Sequence, residues 1–320
     1  MKAMRSHEYG GSEVLKLEDV AQPDFNDHQI LVAVKAAGVN PVDTYIRGGT
    51  NNYSANFPHT PGLDGAGEVV KVGAQVKGFK PGDRVYFSGN ATGAAAEFTV
   101  CDPLRTYPLP DSVSFVEGAC LGVPATTAHR ALFGRAHAQA GEKVLIHGAT
   151  GAVGTIAVQL AKAAGLTAVA TAGTKEGEQV LRDLGADAVL NHRTEDYLTP
   201  YQDLDHGFDL IVEMLADVNL DKDLKALARK GRVIVIGSRG KIEITPRDLM
   251  ARDAALMGMA LMNIGPEDLA TIARSLYPLL AGGLVKPVVR QTYPLTQLPK
   301  AQDAVLESGA AGNHVIDLTL

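Results

Sequence analysis

The run His147-Gly148-Ala149-Thr150-Gly151-Ala152-Val153-Gly154 constrains this chain more than any other feature, placing three glycines three residues apart between an apolar stretch at 143–147 and an apolar helical pattern over 152–164. Strand, glycine turn and helix in that order are what a dinucleotide pyrophosphate needs. Gly148 permits a tight turn, Gly151 lets a phosphate approach the backbone, and Gly154 lets the helix pack closely, while the helix N-terminus offers unpaired N–H groups to an anion. The spacing departs from the commoner G-x-G-x-x-G, so the motif gains its weight from context. Patterns of the same kind follow it: strand over 167–172, helix 176–184, strand 188–191, strand 208–214, helix 220–229, strand 232–237 and a last strand at 254–261. Alternation of this kind predicts an α/β fold, a Rossmann doubly wound parallel sheet with helices on both faces.

The chain has 320 residues, more than one core usually organises. Its first 120 residues carry short apolar runs at 30–39, 67–72 and 84–87 broken by Gly and Pro, which fit an irregular, mostly antiparallel β domain. After residue 261 come a helix at 267–280, a Pro-marked strand at 285–289, a helix at 297–306 and a strand at 314–318, all assigned back to the first domain. The expected partition is a mostly β domain from 1–121 and 263–320, and a Rossmann dinucleotide-binding domain from 122–262.

With 46% hydrophobic and 21% charged residues, no stretch has the composition of a disordered tail. No apolar run approaches the roughly 18 residues that cross a bilayer, and the first ten residues lack a signal-peptide core. A cytoplasmic protein without a membrane partner is the expectation. The net charge of −6 speaks against a surface built to collect nucleic-acid phosphates. Cys101 and Cys120 match neither a C-x-x-C pair nor a zinc ligand set, and read as reduced structural thiols.

The second strand is informative by omission. NAD enzymes place an Asp or Glu about 20 residues beyond the motif to bind the ribose 2′-hydroxyl. Here that stretch is Thr167-Ala168-Val169-Ala170-Thr171-Ala172-Gly173-Thr174-Lys175, with no acid at the strand end. Gly173, Thr174 and Lys175, with Arg193 after the next strand, suit the 2′-phosphate of NADPH. Lys175 stands in the first turn of a helix, where a cation is unfavourable by itself, which speaks for a phosphate partner over a merely solvated lysine.

The runs Ala37-Gly38-Val39-Asn40-Pro41-Val42-Asp43-Thr44-Tyr45-Ile46-Arg47 and Pro61-Gly62-Leu63-Asp64-Gly65-Ala66-Gly67 join the glycine motif in a wider pattern. Further along stand Asn191-His192-Arg193, Glu213-Met214-Leu215-Ala216-Asp217-Val218-Asn219-Leu220, and Gly237-Ser238-Arg239-Gly240 followed by Ile242-Glu243-Ile244 and Pro246-Arg247-Asp248. In this order and at these separations the chain resembles the zeta-crystallin-like quinone oxidoreductases, zinc-free members of the medium-chain dehydrogenase/reductase superfamily. The resemblance implies a GroES-like catalytic domain made from both chain ends, a Rossmann domain between them, NADPH as cofactor and a small-molecule quinone as substrate. It implies that Tyr45 packs by the nicotinamide and that Thr150, Gly151, Ala152 and Val153 line the pyrophosphate. Gly173, His192 and Asn219 would surround the adenosine and ribose, with Ile236, Gly237, Ser238 and Arg239 and then Met259, Ala260 and Leu261 flanking the nicotinamide half. Zinc relatives bind their metal through a Cys, a His and an acid near the two N-terminal motifs. Here Asn40 stands where the Cys is expected and Leu63-Asp64 replaces His-Glu, so no metal is expected.

Reducing a quinone asks for orientation and a dry cleft more than for acid–base groups. Three residues are candidates for the substrate side: Asn40, whose amide can bond a quinone oxygen; Tyr45, whose ring can stack; and Tyr53, which can close over the mouth. The plainer readings are that Asn40 caps a turn before Pro41 and that Tyr45 only packs. Asp43 and Asp64 are expected to bond nearby backbone rather than act as acid and base, and His147 to be packed and hydrogen-bonded. Competing functions are an enone or alkenal double-bond reductase of the same superfamily, and an RNA-binding or crystallin-type structural protein, the latter disfavoured by the lack of basic clusters. The apolar strand at 254–261 is placed to pair with a second subunit, giving a homodimer or homotetramer.

Overall fold

The computed structural model describes residues 1–307 and 311–320. Its described residues form two compact units, one taking in 1–124, 269–307 and 312–320, the other Ala125–Asp268. In the first, β1 (Lys2–Arg5) and β2 (Lys16–Asp19) make a short antiparallel ribbon. Then follow β3 (Ile30–Val39), α1 (Pro41–Gly48), β4 (Asp64–Val72), β5 (Arg84–Ser88), β6 (Phe98–Cys101), β7 (Thr106–Pro108), α2 (Phe115–Gly118) and α3 (Gly122–His129). Strand β3 is apolar on both faces, which is why it takes the central position and pairs with both β4 and β6. Pro41 opens α1 with a preset φ, and Gly49, at φ 62°, ends it in the left-handed conformation.

In the second unit, β8 (Lys143–Ile146) leads to α4 (Ala152–Ala163), β9 (Thr167–Ala172), α5 (Lys175–Asp183), β10 (Ala188–Asn191), β11 (Phe208–Glu213), α6 (Ala216–Ala226), β12 (Leu227–Val235), α7 (Pro246–Met250) and β13 (Ala255–Gly258). The six strands pair in parallel in the order β10-β9-β8-β11-β12-β13. Val144, Leu145 and Ile146 of β8 are fully buried, as the inner strand of a doubly covered sheet requires. The order reverses between β8 and β11, the switch point outside which such sheets bind their ligands.

The chain continues through α8 (Pro266–Ala281), β14 (Val289–Tyr293), α9 (Leu298–Ala304) and β15 (Asn313–Asp317). Strand β15 lies antiparallel to β3, completing a seven-stranded sheet β14-β15-β3-β4-β5-β7 with β6 beside β3. The expected α/β architecture is what the structure has, with other bounds for some elements; the last strand expected at 254–261 spans only Ala255–Gly258, so 259–261 lie beyond it. The strand expected at 285–289 begins only at Val289, because Pro287 has no N–H for a ladder and the Val285 N–H already bonds the Leu279 carbonyl at 3.2 Å. The helix expected from 220 begins at Ala216, where the Ala216 N–H bonds the Gly237 carbonyl at 3.0 Å and turns the chain directly out of β11. It also ends earlier, at Ala226, and β12 enters through an irregular stretch in which Lys230 takes φ 61°.

Candidate functional site

Every residue expected to hold the cofactor in the second unit sits at or just beyond the carboxyl end of one of the six parallel strands. Beyond β8, Gly148 takes φ 55° and Gly151 starts α4. The first intrahelical bond there is Thr155 N–H to Gly151 O at 2.9 Å, so the N–H groups of Ala152 and Val153 precede the ladder and face outward from the helix end. A Cβ on Gly154 would lie 2.4 Å from Ala149 Cα and 2.5 Å from Gly148 O, so the third glycine is required by the close approach of the helix to its own loop. Thr150 packs beside Gly177 of α5, where a Cβ would meet its methyl at 2.8 Å.

Beyond β9, Thr174 caps α5 by accepting the Gly177 N–H at 3.1 Å, which leaves its O–H as a donor, and Lys175 is exposed in the first turn. A Cβ on Gly173 would meet His192 Nε2 at 2.8 Å and Arg193 Nε at 3.1 Å, so the ends of β9 and β10 bring an imidazole and a guanidinium over one glycine. Partial burial and the nearby Arg193 hold His192 below its ordinary pKa. Beyond β12, Gly237 is needed because a Cβ would lie 2.5 Å from Met214 O. Asp217 accepts the Arg239 N–H at 2.8 Å and the Ser238 hydroxyl at 3.3 Å, fixing the segment after Ile236. Beyond β13, Met259 is buried, and Arg130 donates to the carbonyls of Ala260, at 2.6 Å, and Asn263, at 3.2 Å, holding the turn that contains Leu261.

Behind this rim lies a buried triad. His147 Nε2 is 2.8 Å from Asp223 Oδ1 and 3.5 Å from Glu213 Oε2. Burial favours the neutral imidazole and pushes both carboxyls up to about 7. Glu213 Oε1 accepts the Leu215 N–H and, at 3.3 Å, the Asn219 amide. Among the described residues these three form the one His/acid group close enough to hold a metal. A hydrogen bond as short as that between His147 and Asp223 instead closes the cluster on itself.

In the first unit, Asn40 is the residue before α1 and is buried. Its N–H donates to Asp43 Oδ2 and its Nδ2 to Asp64 Oδ2, both at 2.8 Å. Asp43 also accepts the Leu63 N–H at 3.2 Å, and Asp64 the Val123 N–H at 2.8 Å. Both acids therefore bond backbone, and burial pushes Asp43 up to about 7 and Asp64 up to about 6. The rings of Tyr45 and Tyr53 are 6.2 Å apart, both half-buried. The Tyr53 loop is tied down by a residue that sequence reasoning passed over: the Tyr9 hydroxyl donates to Ala55 O at 3.3 Å and accepts from Ala55 N at 3.2 Å. Glu213, Asp217 and Arg130 were also missed; only Asp217, an acid in a first helical turn, carried a local signal. Cys101 and Cys120 are buried and unpaired, and burial raises both thiol pKa values.

Comparison with known proteins gives the class. Residues 26–111 match the alcohol dehydrogenase GroES-like domain and residues 152–276 the zinc-binding dehydrogenase family. The human quinone oxidoreductase is 44% identical over 320 residues, spanning 99% of this chain and 97% of that protein. Among solved structures, an NAD-dependent alcohol dehydrogenase superposes with a TM-score of 0.90 at 27% identity, covering 99% of this chain and all of that one. The Escherichia coli quinone oxidoreductase complexed with NADPH superposes at 0.89 and 28% identity with the same coverage. The chain is a medium-chain dehydrogenase/reductase and belongs within that superfamily to the quinone oxidoreductases.

Proposed function

We propose that this protein reduces quinones with NADPH. The observation that carries the reading is the pair of groups over Gly173: His192 and Arg193 meet there at the ends of β9 and β10, Lys175 stands two residues on in the first turn of α5, and no acid stands at the end of β9 to receive a ribose 2′-hydroxyl. Thr150 to Val153 would hold the pyrophosphate at the α4 N-terminus, and Asn219 the ribose side. Ile236 to Arg239 and Met259 to Leu261 would hold the nicotinamide half, with Tyr45 against its ring. NADPH bound there supplies the reducing electrons. Asn40, Tyr45 and Tyr53 orient the quinone and exclude water, and no step calls on a metal, because the residues at the zinc positions of relatives are an amide and a carboxyl bonded to each other. The catalytic domain is taken as 1–121 with 263–320, and the NADP domain as 122–262.

The test is fluorescence titration with NADPH and NADH, for the wild type and Lys175→Glu, followed by NADPH oxidation assays with ortho-quinones and with enones. A preference for NADPH of about tenfold or more that collapses in the variant supports the phosphate site. Equal binding of both cofactors overturns it, and turnover of enones alone overturns the quinone assignment. No helix of the described residues is long and apolar enough to cross a membrane, and a cytoplasmic location fits that. Strand β13 ends the sheet with Leu256 38% exposed, an edge that a second copy would cover; light scattering would show a dimer or a dimer of dimers.

A further inference from the structure

We propose that Glu213 is a positioning residue for the cofactor site, holding Asn219 and the Leu215 turn in place by means of one proton that it shares with Asp223 beside His147. The inference rests on the cofactor reading above. Glu213, Asp223 and His147 are each at most 2% exposed, and one ligand-type atom from each lies within 4.8 Å of the others. His147 Nε2 serves Asp223 at 2.8 Å and stands only 3.5 Å from Glu213, so one N–H cannot fully satisfy both acids. Glu213 Oε2 and Asp223 Oδ2 have no hydrogen-bond partner among the described residues. Two ionised carboxylates this close and this dry repel, and a single proton between them removes the repulsion and satisfies both free oxygens.

That proton leaves Glu213 Oε1 free to accept the Leu215 N–H and the Asn219 amide. The bond from its NH₂ group fixes the orientation of the Asn219 amide, with one N–H toward Glu213 and the carbonyl and second N–H left for a cofactor hydroxyl. Loss of the proton drives the two acids apart. Asp223 is anchored within α6, so Glu213, at the end of β11, moves and takes both anchors with it. The other groups facing the cluster are Tyr197, whose buried hydroxyl also lacks a partner, and His192, which feels the charge of His147 and of Arg193.

Full-length protein titrated with NADPH at pH 6.5, 7.5 and 8.5 tests this, using the wild type, Asp223→Asn and Glu213→Gln. Each variant keeps one carboxyl and replaces the shared proton with a permanent amide N–H, while His192 and Arg193 are the same in all three proteins. The expected result is a wild-type Kd that rises about fivefold from pH 6.5 to 8.5, and a ratio near one in both variants. A role in folding alone would shift Kd equally at every pH and leave the ratio untouched. A wild-type ratio near one, or variants that keep the wild-type ratio, overturns the inference while the cofactor reading stands. Failure of the wild type to bind NADPH at any pH overturns both.

Discussion

The Asn40 amide donates to Asp64 Oδ2 at 2.8 Å, and the same carboxylate oxygen takes the Val123 N–H at 2.8 Å. One amide therefore joins the start of α1 to the start of β4, and a backbone donor in the first turn of α3 is gathered onto the same atom. The second carboxyl, Asp43, reaches the group through the Asn40 N–H. The arrangement uses Asn40 as the plain reading requires: it stands before Pro41 as the residue that starts a helix.

The burial of Asp64 has a pH signature. Its carboxyl is pushed from 3.8 up to about 6, so the folded chain holds a proton that the unfolded chain releases earlier. Stability from this group is whole below pH 4 and is lost as pH rises through about 6. In Asp64→Asn the side-chain oxygen can still accept both N–H groups and nothing titrates. Denaturant unfolding from pH 4 to 8 should therefore show the variant gaining about 3 kcal/mol on the wild type across that interval. Parallel pH curves for the two proteins would show that Asp64 is not the buried titrating group.

Two glycines of the same motif should fail in different ways. In Gly154→Ala the new methyl meets backbone at 2.4 and 2.5 Å, which nothing short of moving α4 relieves, and we expect a loss of about 2 kcal/mol or more in thermal unfolding. In Gly151→Ala the nearest atom is Gly148 O at 3.2 Å and φ is −71°, so melting should stay close to wild type. If the pyrophosphate sits at the α4 N-terminus as proposed, the methyl obstructs its approach, and NADPH Kd should rise about tenfold. Equal melting of the two variants would contradict the packing role of Gly154.

The ends of β9 and β10 could be read from the chain because short apolar runs bounded by Gly, Asn or Thr leave little choice of register, and once a parallel sheet is granted, the residues after each strand share one rim. Tyr45 and Tyr53 came from resemblance and loop chemistry. The His147–Asp223 contact could not be read, since 76 residues separate its partners and neither carries a local signal. The early start of α6 depends on Gly237, which supplies the carbonyl for Ala216 from the segment after β12. Tertiary partners of this kind override propensity, which is also why Val285 belongs to no strand.

Tyr9 makes the Tyr53 loop testable without touching Tyr53. Its ring lies edge-on to Phe57, with centroids 4.8 Å apart, and under Gly49, while its hydroxyl bonds both backbone groups of Ala55. Tyr9→Phe keeps the ring and removes the two bonds. If Tyr53 shapes the substrate mouth, KM for a bulky quinone should rise about threefold with kcat unchanged, the size of one or two exposed hydrogen bonds. A fall in kcat at constant KM would instead place the loop in the chemical step.

Arg232, within β12, ties that strand to the segment before β8 and to β11. Its Nε donates to Ala136 O at 2.6 Å, its Nη1 to Asp209 O at 2.9 Å, and its fork grips Glu142 at 2.9 and 2.8 Å. A lysine can point one ammonium at Glu142 but cannot reach the two carbonyls in the same plane, so Arg232→Lys should cost about 2 kcal/mol at pH 7. Partial burial would raise the Glu142 carboxyl, yet the bonds from Arg232 and from the Gln139 N–H outweigh it and hold the group below its usual value. A lowered acid stabilises the fold above its unfolded pKa and loses that contribution as pH falls. The penalty of the substitution should therefore shrink between pH 7 and pH 4 in denaturant unfolding, where Glu142 takes up its proton and the fork has less to hold. A penalty that stays constant over that range would assign the cost to the two lost carbonyl bonds and none of it to the ion pair.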